Sequence, residues 1–508
     1  MLRQTTTENG RVAGIPAADP RITAYKGIPF AAPPVGNLRW KPPQKAADWS
    51  GVLNADKFAP ISMQSTPGIG DPEFLYNKEW HVDSKIDISE DCLYLNVWTP
   101  AKTGDEKFPV MVWIYGGGLQ WGYSSEMEFD GERIARRGIV FVSLNYRLNV
   151  FGFLAHPEIS AEGGGTSGNF GLMDQLAAMK WVKRNIASFG GDPDNVTIFG
   201  QSAGGGSVMA HLASPESGGY FHKAIAQSCG GIARGPFGNM STLNDAEKTG
   251  EAFFKWAGIS NLEEARSISS EKMLDLGMSF KSPTGRHLTW GIVTDGVFLK
   301  EPPAKVISEN RRHPVPLMIG NTSAEFLVSP PGDSEDKFID FANKRFGKNA
   351  EKYLSLTGLG KVSLEEAVKA GTFNGFDVGN RLWGLKNAQL KTSPLYYYRF
   401  SPEIPGDNEG AFHSSELWFM FETLAKCWRP FVGKHYDLAR QMCNYWTNFA
   451  KTGNPNGNDA DGSAMPQWSP FTEDSPYAML FGEKPEMDKS EVSELTAFLI
   501  ENETAARA

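Results

Sequence analysis

The sequence has no apolar run long enough to cross a membrane. A spanning helix needs about 20 consecutive apolar residues, and the longest runs here are short ones such as IVFVSL at Ile139–Leu144. The first residues, MLRQTTTENGRVAG, also lack the apolar centre of a secretory signal. From these two absences we expect a chain that has no membrane span and works in the cytoplasm.

Cysteine is scarce as well. The chain of 508 residues has 4 cysteines, which lie far apart at Cys92, Cys229, Cys427 and Cys443. Their number and spacing argue against a disulfide framework and against a zinc site of the C-x-x-C type. We therefore expect buried free thiols, which suit a reducing compartment.

Positive charge is in deficit. Lysine and arginine total 50 against 59 acidic residues, which gives a net charge of -9 and a pI of about 5.6. Nucleic acid and anionic membranes attract basic surfaces, so we expect neither as a main partner.

Linkers, internal repeats and low-complexity tracts are also missing. Short apolar runs alternate with helical patterns, which indicates an α/β fold with a large, mostly parallel sheet flanked by helices. The predicted core strands are Phe108–Tyr115, Ile139–Tyr146, Asn195–Gly200, His222–Ser228, Pro314–Gly320 and Leu395–Phe400. Charged helical stretches at about 231–312 and 332–391 interrupt the alternation, and they either cover a pocket or form a peripheral layer. We predict one domain over 1–508 with these two insertions.

The heptapeptide GQSAGGG at Gly200–Gly206 contains the pattern G-x-S-x-G. Alone this pattern is a weak signal, because glycine and serine are common in loops. Here the strand pattern NVTIF precedes it and a helix-compatible sequence follows it, which is the context of a strained nucleophile elbow. We predict that Ser202 is a nucleophile and that the amides of the following helix face developing negative charge.

A serine hydroxyl needs a base, and the base needs an acid that orients it. The expected chain order is serine, acid, histidine, which favours His413 and His435 as bases. His435 belongs to an amphipathic helical pattern and is expected to be a surface or packing residue, whereas His413 lies in a polar loop after a predicted strand. Glu325 directly follows the strand PVPLMIG, while its rival Asp295 lies farther from a strand end. The predicted triad is Ser202, Glu325 and His413.

A second glycine-rich segment, YGGGLQWG at Tyr115–Gly122, follows another predicted strand. The backbone amides of its glycines are not obstructed by side chains. We predict that Gly117 and Gly118, together with Ala203 directly after Ser202, are the donors of an oxyanion hole. A triple glycine can instead be a flexible loop or a phosphate cradle. No G-K-[ST] follows, which argues against the phosphate cradle.

Together these motifs resemble the type-B carboxylesterase family, which includes cholinesterases, bacterial p-nitrobenzyl esterases and fungal lipases. The matching segments run almost from end to end: YKGIPFAAPPVGNLRWKPP, SEDCLYLNVWTP, WIYGGG, NVTIFGQSAGG, GNTSAE, GAFHSSEL and YWTNFAKTGNPN. The resemblance, which is strongest to bacterial carboxylesterases, implies an α/β-hydrolase fold with the same triad and oxyanion hole. It also implies that Ser228, in QSCGG, supports the acid.

Three positions depart from the family pattern. Relatives often pair the cysteine of EDCLYLN with an earlier one, but Ser62 stands where the partner of Cys92 would be. We therefore expect no disulfide there, and a loop that is either mobile or held by packing. Gln201 replaces a common glutamate, which removes a negative charge and weakens the case for cationic choline esters. Leu119 replaces a common aromatic residue after the triple glycine.

The chemistry that the resemblance implies is two-step acyl transfer, which needs no metal or organic cofactor. Aromatic and apolar residues near the motifs are candidates for the substrate pocket or for core packing: Leu119, Trp121, Trp80, Phe326, Tyr76, Leu327 and Trp418. We expect a small to medium uncharged ester as the substrate, with aromatic esters as a narrower hypothesis. A serine amidase or thioesterase would use the same triad, and some relatives are binding proteins without a working triad.

Overall fold

The computed structural model describes residues 1–65, 74–80, 85–233, 240–282 and 290–505. These residues form the following strands: β1 Gln4–Thr7, β2 Gly10–Ala13, β3 Ile15–Pro16, β4 Thr23–Pro29, β5 Val52–Asn54, β6 Ile61–Ser62, β7 Ile88–Ser89, β8 Tyr94–Thr99, β9 Phe108–Ile114, β10 Val140–Leu144, β11 Gly191–Gln201, β12 Lys223–Gln227, β13 Ser241–Thr242, β14 Val293–Thr294, β15 Leu317–Thr322, β16 Leu395–Phe400, β17 Ala478–Phe481 and β18 Pro485–Asp488.

Within the described residues, one mixed sheet of 11 strands has the order β18-β17-β16-β15-β12-β11-β9-β10-β8-β4-β3. All strands from β17 across to β10 run parallel, and antiparallel strands close both margins. Helices cover both faces of such a sheet, so its strands read as continuous apolar runs; every residue from Val110 to Ile114 of β9 is fully buried. The six predicted core strands are confirmed, and β11 begins earlier than predicted, at Gly191.

The helices of the described residues are α1 Leu75–Glu79, α2 Glu132–Ala135, α3 Asn149–Phe153, α4 Pro157–Glu162, α5 Phe170–Asn185, α6 Ala203–Ala213, α7 Leu243–Ala257, α8 Leu262–Ser267, α9 Ser270–Ser279, α10 Pro303–Ser308, α11 Glu335–Phe346, α12 Ala350–Thr357, α13 Leu364–Gly371, α14 Gly375–Leu390, α15 Glu416–Met420, α16 Gly433–Thr452 and α17 Glu494–Ala505. None of these helices is long and apolar enough to cross a membrane.

The two predicted helical insertions contain α7–α10 and α11–α14. The second group has a small core of its own, built around Phe338, Phe346 and Tyr353, against which Phe498 of α17 packs. The much larger cluster of buried apolar residues surrounds the sheet. The assignment of 1–508 to a single domain stays a prediction.

The four cysteines are free thiols; Cys92, Cys229 and Cys443 are buried and Cys427 is partly buried. Burial raises the pKa of the Cys92 thiol to about 12. Ser62, which stands at the expected partner position, donates its hydroxyl to the carbonyl of Tyr146 at 2.5 Å. The segment between Ser62 and Cys92 is described only at 63–65, 74–80 and 85–91, and the prediction for the rest of this loop lies outside the described residues.

Candidate active site

Ser202 lies in the tight turn between β11 and α6. Its backbone has φ 56° and ψ -123°, a conformation that costs free energy for a residue with a side chain. The surroundings hold it there, because its amide donates to the carbonyl of Gln227 on β12 and its carbonyl accepts from the amide of Gly206, both at 2.9 Å. The residue is partly exposed while its two chain neighbours are buried. The local geometry is that of a nucleophile elbow.

The glycines around Ser202 are required by close backbone contacts. A Cβ atom on Gly200 would lie 2.6 Å from the carbonyl oxygen of Ile114, and one on Gly204 would lie 2.0 Å from the same oxygen. A Cβ on Gly205 would lie 2.7 Å from the carbonyl oxygen of Gln227. The motif therefore lets α6 begin directly against β9 and β12, which fixes the position of the serine.

Glu325 and His413 follow the neighbouring parallel strands β15 and β16, so both emerge at the edge of the sheet where Ser202 lies. The Nδ1–H group of His413 donates a short hydrogen bond to Oε2 of Glu325. The second oxygen of Glu325 accepts from the amide of Thr322 at 2.9 Å. Burial by itself lowers the pKa of His413, but the attraction of the Glu325 carboxylate outweighs it and leaves the pKa above its ordinary value. The ring therefore has a fixed orientation and carries its proton on Nδ1.

The other ring nitrogen of His413 faces Gln201. The side-chain nitrogen of Gln201 lies 3.3 Å from Nε2 of His413. Because the proton of the neutral ring is on Nδ1, Nε2 is an acceptor and the glutamine amide donates to it. Among the described residues no hydrogen bond joins Ser202 Oγ to His413. The structure thus brings the predicted base and acid into contact, and it places the base against the residue directly before the predicted nucleophile.

The predicted oxyanion donors lie beside this turn. Gly117 and Gly118 have φ values of 97° and 64°, which favour glycine. A Cβ atom on the preceding Gly116 would lie 3.0 Å from Cβ of Ser202, so the glycine loop rests directly on the elbow. Within the described part of the chain, the amides of Gly117 and Gly118 donate to no protein acceptor. The amide of Ala203 is at the start of α6, where a helix offers no internal acceptor. These three N–H groups are thus available to a ligand.

Glu416 is a second buried carboxyl group at the site, and the sequence reasoning missed it. It begins α15 three residues after His413 and is fully buried. Burial, and after it repulsion by Glu325, raise the pKa of Glu416 to about 7. An acidic residue one helical turn after the candidate base is the signal that could have found it.

The partner of Ser228 corrects one prediction. The resemblance implied that this serine supports Glu325, but its hydroxyl donates to Oε1 of Glu416 at 3.4 Å. The oxygens of Glu325 have other partners, His413 and the amide of Thr322.

Aromatic side chains surround His413. The ring of Phe326 lies 4.5 Å from the imidazole and is 59% exposed, and the ring of Phe376 from α14 lies 5.9 Å away. Tyr76 donates its hydroxyl to the carbonyl of His413 at 3.5 Å. It also stacks on Trp80, with ring centres 5.2 Å apart and planes within 5°. The second insertion therefore reaches the site, through Phe376.

The remaining pocket candidates divide into exposed and buried residues. Trp121 and Leu327 are 41% and 49% exposed, and Trp121 donates its indole N–H to the hydroxyl of Ser65 at 2.9 Å. Leu119 and Trp418 are buried. Leu119 and Trp418 are therefore better described as core residues than as residues of a substrate pocket.

The two rival residues, His435 and Asp295, both accept hydrogen bonds from backbone amides close to them in the chain. His435 is buried in the first turn of α16, where its Nδ1 accepts from the amide of Val432 at 3.0 Å. Asp295 accepts from the amides of Val297 and Leu299 at 3.1 and 2.8 Å. No group of three or more histidine, cysteine or acidic side chains within the described ranges is placed to hold a metal ion.

A mixed sheet with a nucleophile elbow at the carboxyl end of a central strand defines an α/β hydrolase. The sequence model of the Carboxylesterase family matches residues 2–499, and the chain belongs to this family. Its relatives are esterases, and the protein is a carboxylic ester hydrolase.

Several relatives cover most of the chain. The para-nitrobenzyl esterase of Bacillus subtilis is 36% identical over 89% of this chain and 90% of its own length. The fumonisin B1 esterase of Sphingopyxis macrogoltabida is 33% identical over 88% and 82%. The human cocaine esterase is 33% identical over 94% and 87%. Among solved structures, a PNB esterase has a TM-score of 0.80 at 32% identity, covering 98% of this chain and 99% of that one. A Geobacillus stearothermophilus carboxylesterase has a TM-score of 0.78 at 31% identity, covering 98% and 100%.

Proposed function

We propose that the protein hydrolyses small to medium uncharged carboxylic esters through an acyl-enzyme formed on Ser202. The observation that carries this proposal is the imidazole of His413, which Glu325 fixes at Nδ1 and which presents Nε2 to the residue before Ser202. In the first step Ser202 Oγ attacks the ester carbonyl carbon and its proton passes to Nε2. Substrate binding draws the hydroxyl and the imidazole together as the Gln201 amide releases Nε2, because catalytic hydrogen bonds often tighten only in the complex.

The amides of Gly117, Gly118 and Ala203 would stabilise the oxyanion of the tetrahedral intermediate. Loss of one such donor costs about 10²–10³ in turnover in related chemistry. As the intermediate collapses, the bond to the alcohol oxygen breaks and His413 delivers its proton to that oxygen. Water then repeats the sequence on the acyl-enzyme, which releases the acid and restores the serine.

The surroundings of His413 favour esters with an aromatic portion. This residue would protonate the leaving alcohol, and the exposed ring of Phe326 lies beside it. A flat aromatic alcohol could stack there. The neutral side chain at Gln201 supports an uncharged substrate. The names of the relatives, which include p-nitrobenzyl, cocaine and fumonisin B1 esterases, support an ester as the substrate.

Hydrolysis of p-nitrophenyl acetate, butyrate and octanoate by the wild type and by Ser202→Ala tests the proposal. We expect turnover by Ser202→Ala to fall at least about 10³-fold, while Ser207→Ala, which changes another serine one turn further along α6, stays near the wild type. Equal activity of Ser202→Ala and the wild type would place the chemistry elsewhere. Amide and thioester analogues with the same acyl group decide whether ester hydrolysis is the preferred reaction.

A further inference from the structure

The short helix α1 is held by a polar cluster around the buried side chains of Glu79 and Arg429. We call it the Glu79 clasp, and it consists of Glu79, Asp407, Trp418, Cys427, Trp428 and Arg429. The carboxylate of Glu79 accepts four hydrogen bonds. Oε1 accepts from the indole N–H of Trp418 at 2.9 Å and from the thiol of Cys427 at 3.4 Å. Oε2 accepts from the indole N–H of Trp428 at 3.0 Å and from Nε of Arg429 at 2.8 Å.

The guanidinium of Arg429 completes the clasp on its far side. Its Nη1 donates to the carbonyl of Pro405 at 3.0 Å and to Oδ1 of Asp407 at 2.9 Å, and its Nη2 donates to Oδ2 of Asp407 at 2.8 Å. The side chains of Glu79 and Arg429 are both 0% exposed. A buried ion pair is tolerated only when its remaining donors and acceptors are satisfied, and then it admits one geometry.

The residues on either side of Glu79 lie at the candidate active site. Tyr76, one helical turn before Glu79, contacts the carbonyl of His413 and stacks on Trp80. Its ring also meets that of Phe412, with the centres 6.4 Å apart. Because α1 is barely more than one turn long, it has little stability of its own. The orientation of Tyr76 therefore depends on where Glu79 is anchored.

We propose that Glu79 and Arg429 are positioning residues that hold Tyr76 and Trp80 in place as an aromatic wall beside His413. This proposal rests on the proposed function, in which His413 protonates the leaving alcohol. The clasp answers a need of this chain in particular, since Cys92 is a free thiol and Ser62 stands at the position of its expected partner, so no disulfide ties the segment that contains α1. The wall then fits esters of aromatic alcohols better than esters of small alkyl alcohols.

Glu79→Gln tests the proposal without changing side-chain volume. One oxygen becomes an NH₂ group that faces two donors, so half of the hydrogen bonds to the clasp are lost. With butyrate esters that differ only in the alcohol, we expect KM for p-nitrophenyl and p-nitrobenzyl butyrate to rise about tenfold while kcat stays within about threefold. The kinetic constants for ethyl butyrate should hardly change. An unchanged KM for the aromatic esters would overturn the proposal.

Two further variants separate positioning from general loss of stability. Asp459→Asn breaks an ion pair with Arg440 that lies outside the clasp, so it should lower stability and leave KM for the aromatic esters unchanged. In a double-mutant cycle, the KM effects of Glu79→Gln and Tyr76→Ala should sum to clearly less than additivity, because part of the effect of the clasp passes through that ring. Additive effects would contradict the proposal. If Glu79→Gln does not fold, Arg429→Lys takes its place. It keeps the positive charge but lacks the guanidinium that bonds both Glu79 and Asp407, so we expect the same rise in KM.

A measurement that does not depend on catalysis tests this proposal separately from the proposed function. Tryptic cleavage after Lys78 should be faster in Arg429→Lys, which leaves the residues around the cleaved bond unchanged, than in the wild type and Asp459→Asn, because α1 is released from its anchor. If Ser202→Ala remained active, the proposed function would fail while faster cleavage still supported the anchoring of α1. Equal cleavage rates in all three proteins would show that the clasp does not hold this helix.

Discussion

The side-chain amide of Gln201 and Nε2 of His413 lie 3.3 Å apart, and both residues are buried. The contact places a neutral hydrogen-bond donor where a carboxylate at the same position would place a negative charge. The protonation behaviour of the candidate base is therefore sensitive to this one side chain.

Gln201→Glu should move the acid limb of the pH profile. A carboxylate beside His413 stabilises the imidazolium and raises its pKa, so the neutral base appears only at higher pH. We expect the midpoint of the acid limb of kcat/KM for p-nitrophenyl butyrate to rise by about one pH unit. Gln201→Ala, which adds no charge, is the control and should leave the midpoint closer to the wild type. A midpoint that stays the same in Gln201→Glu would mean that the two side chains do not interact in solution.

Glu325→Gln should impair turnover more than binding. An amide NH₂ facing Nδ1 favours the wrong tautomer of His413 and no longer stabilises the imidazolium. We expect kcat to fall about 10³–10⁴-fold with a small change in KM. Asp295→Asn changes the rival acid, which accepts hydrogen bonds from two nearby amides and from the hydroxyl of Thr166, and should keep kcat near that of the wild type. Steady-state kinetics on one ester distinguish them, and a comparable loss in both variants would refute the assignment of the acid.

Gly204→Ala should disrupt the elbow. The added Cβ would lie 2.0 Å from the carbonyl oxygen of Ile114, so α6 must move away from β9 and Ser202 must move with it. We expect at least a hundredfold loss of kcat/KM, together with a lower urea midpoint equivalent to about 1–3 kcal/mol. Gly375→Ala, at a site with no atom within 4 Å, serves as the comparison and should be neutral. Full activity in Gly204→Ala would show that the turn tolerates a side chain.

Glu128→Gln should stabilise the protein at alkaline pH. Burial and then repulsion by Glu126 raise the pKa of Glu128 well above its ordinary value, and burial raises the pKa of Glu126 to about 7. Glu79 adds further repulsion on Glu128. Carboxyls with raised pKa values contribute stability that is present below the ordinary value of 4.5 and is lost as the pH rises through the folded value.

The variant removes that loss, so its urea midpoint at pH 8 should exceed the wild-type midpoint by the equivalent of about 2 kcal/mol. At pH 4, below the ordinary value of 4.5, the unfolded chain also keeps most of these protons, so the two midpoints should lie close together. The exposed Glu216→Gln is the control for a change of net charge. An equal effect of Glu128→Gln at both pH values would exclude titration of the buried pair as the cause.

The strands and the turns that follow them could be predicted from sequence because their signals are local. The continuous apolar run of β9 and the G-x-S-x-G turn after β11 each lie within a dozen residues of chain. Glu325 and His413 could be placed because each follows a strand, and neighbouring parallel strands end at one edge of the sheet. Pattern and chain order were sufficient for these features.

The contacts that set the chemistry could not be predicted in this way. Gln201 and His413 are separated by 212 positions in the chain, and Glu79 and Arg429 by 350. The hydrophobic periodicity of a sequence does not predict contacts between residues so far apart in the chain. The partner of Ser228 was predicted wrongly for a related reason, since the packed structure decides which of two nearby carboxyls its hydroxyl contacts. Burial of Glu416 is likewise a property of the packed molecule rather than of its neighbours in sequence.

Every group assigned to the chemistry lies beyond the carboxyl ends of β9, β11, β15 and β16. The loops at the amino ends of the same strands, such as residues 102–107 before β9, contribute none of these groups. A peptide tag or a solid support attached at the amino-end edge would therefore leave the candidate active site accessible to substrate. Lys102, which is exposed, offers an amine on that side, so coupling there should yield an immobilised catalyst with its candidate active site facing the solution.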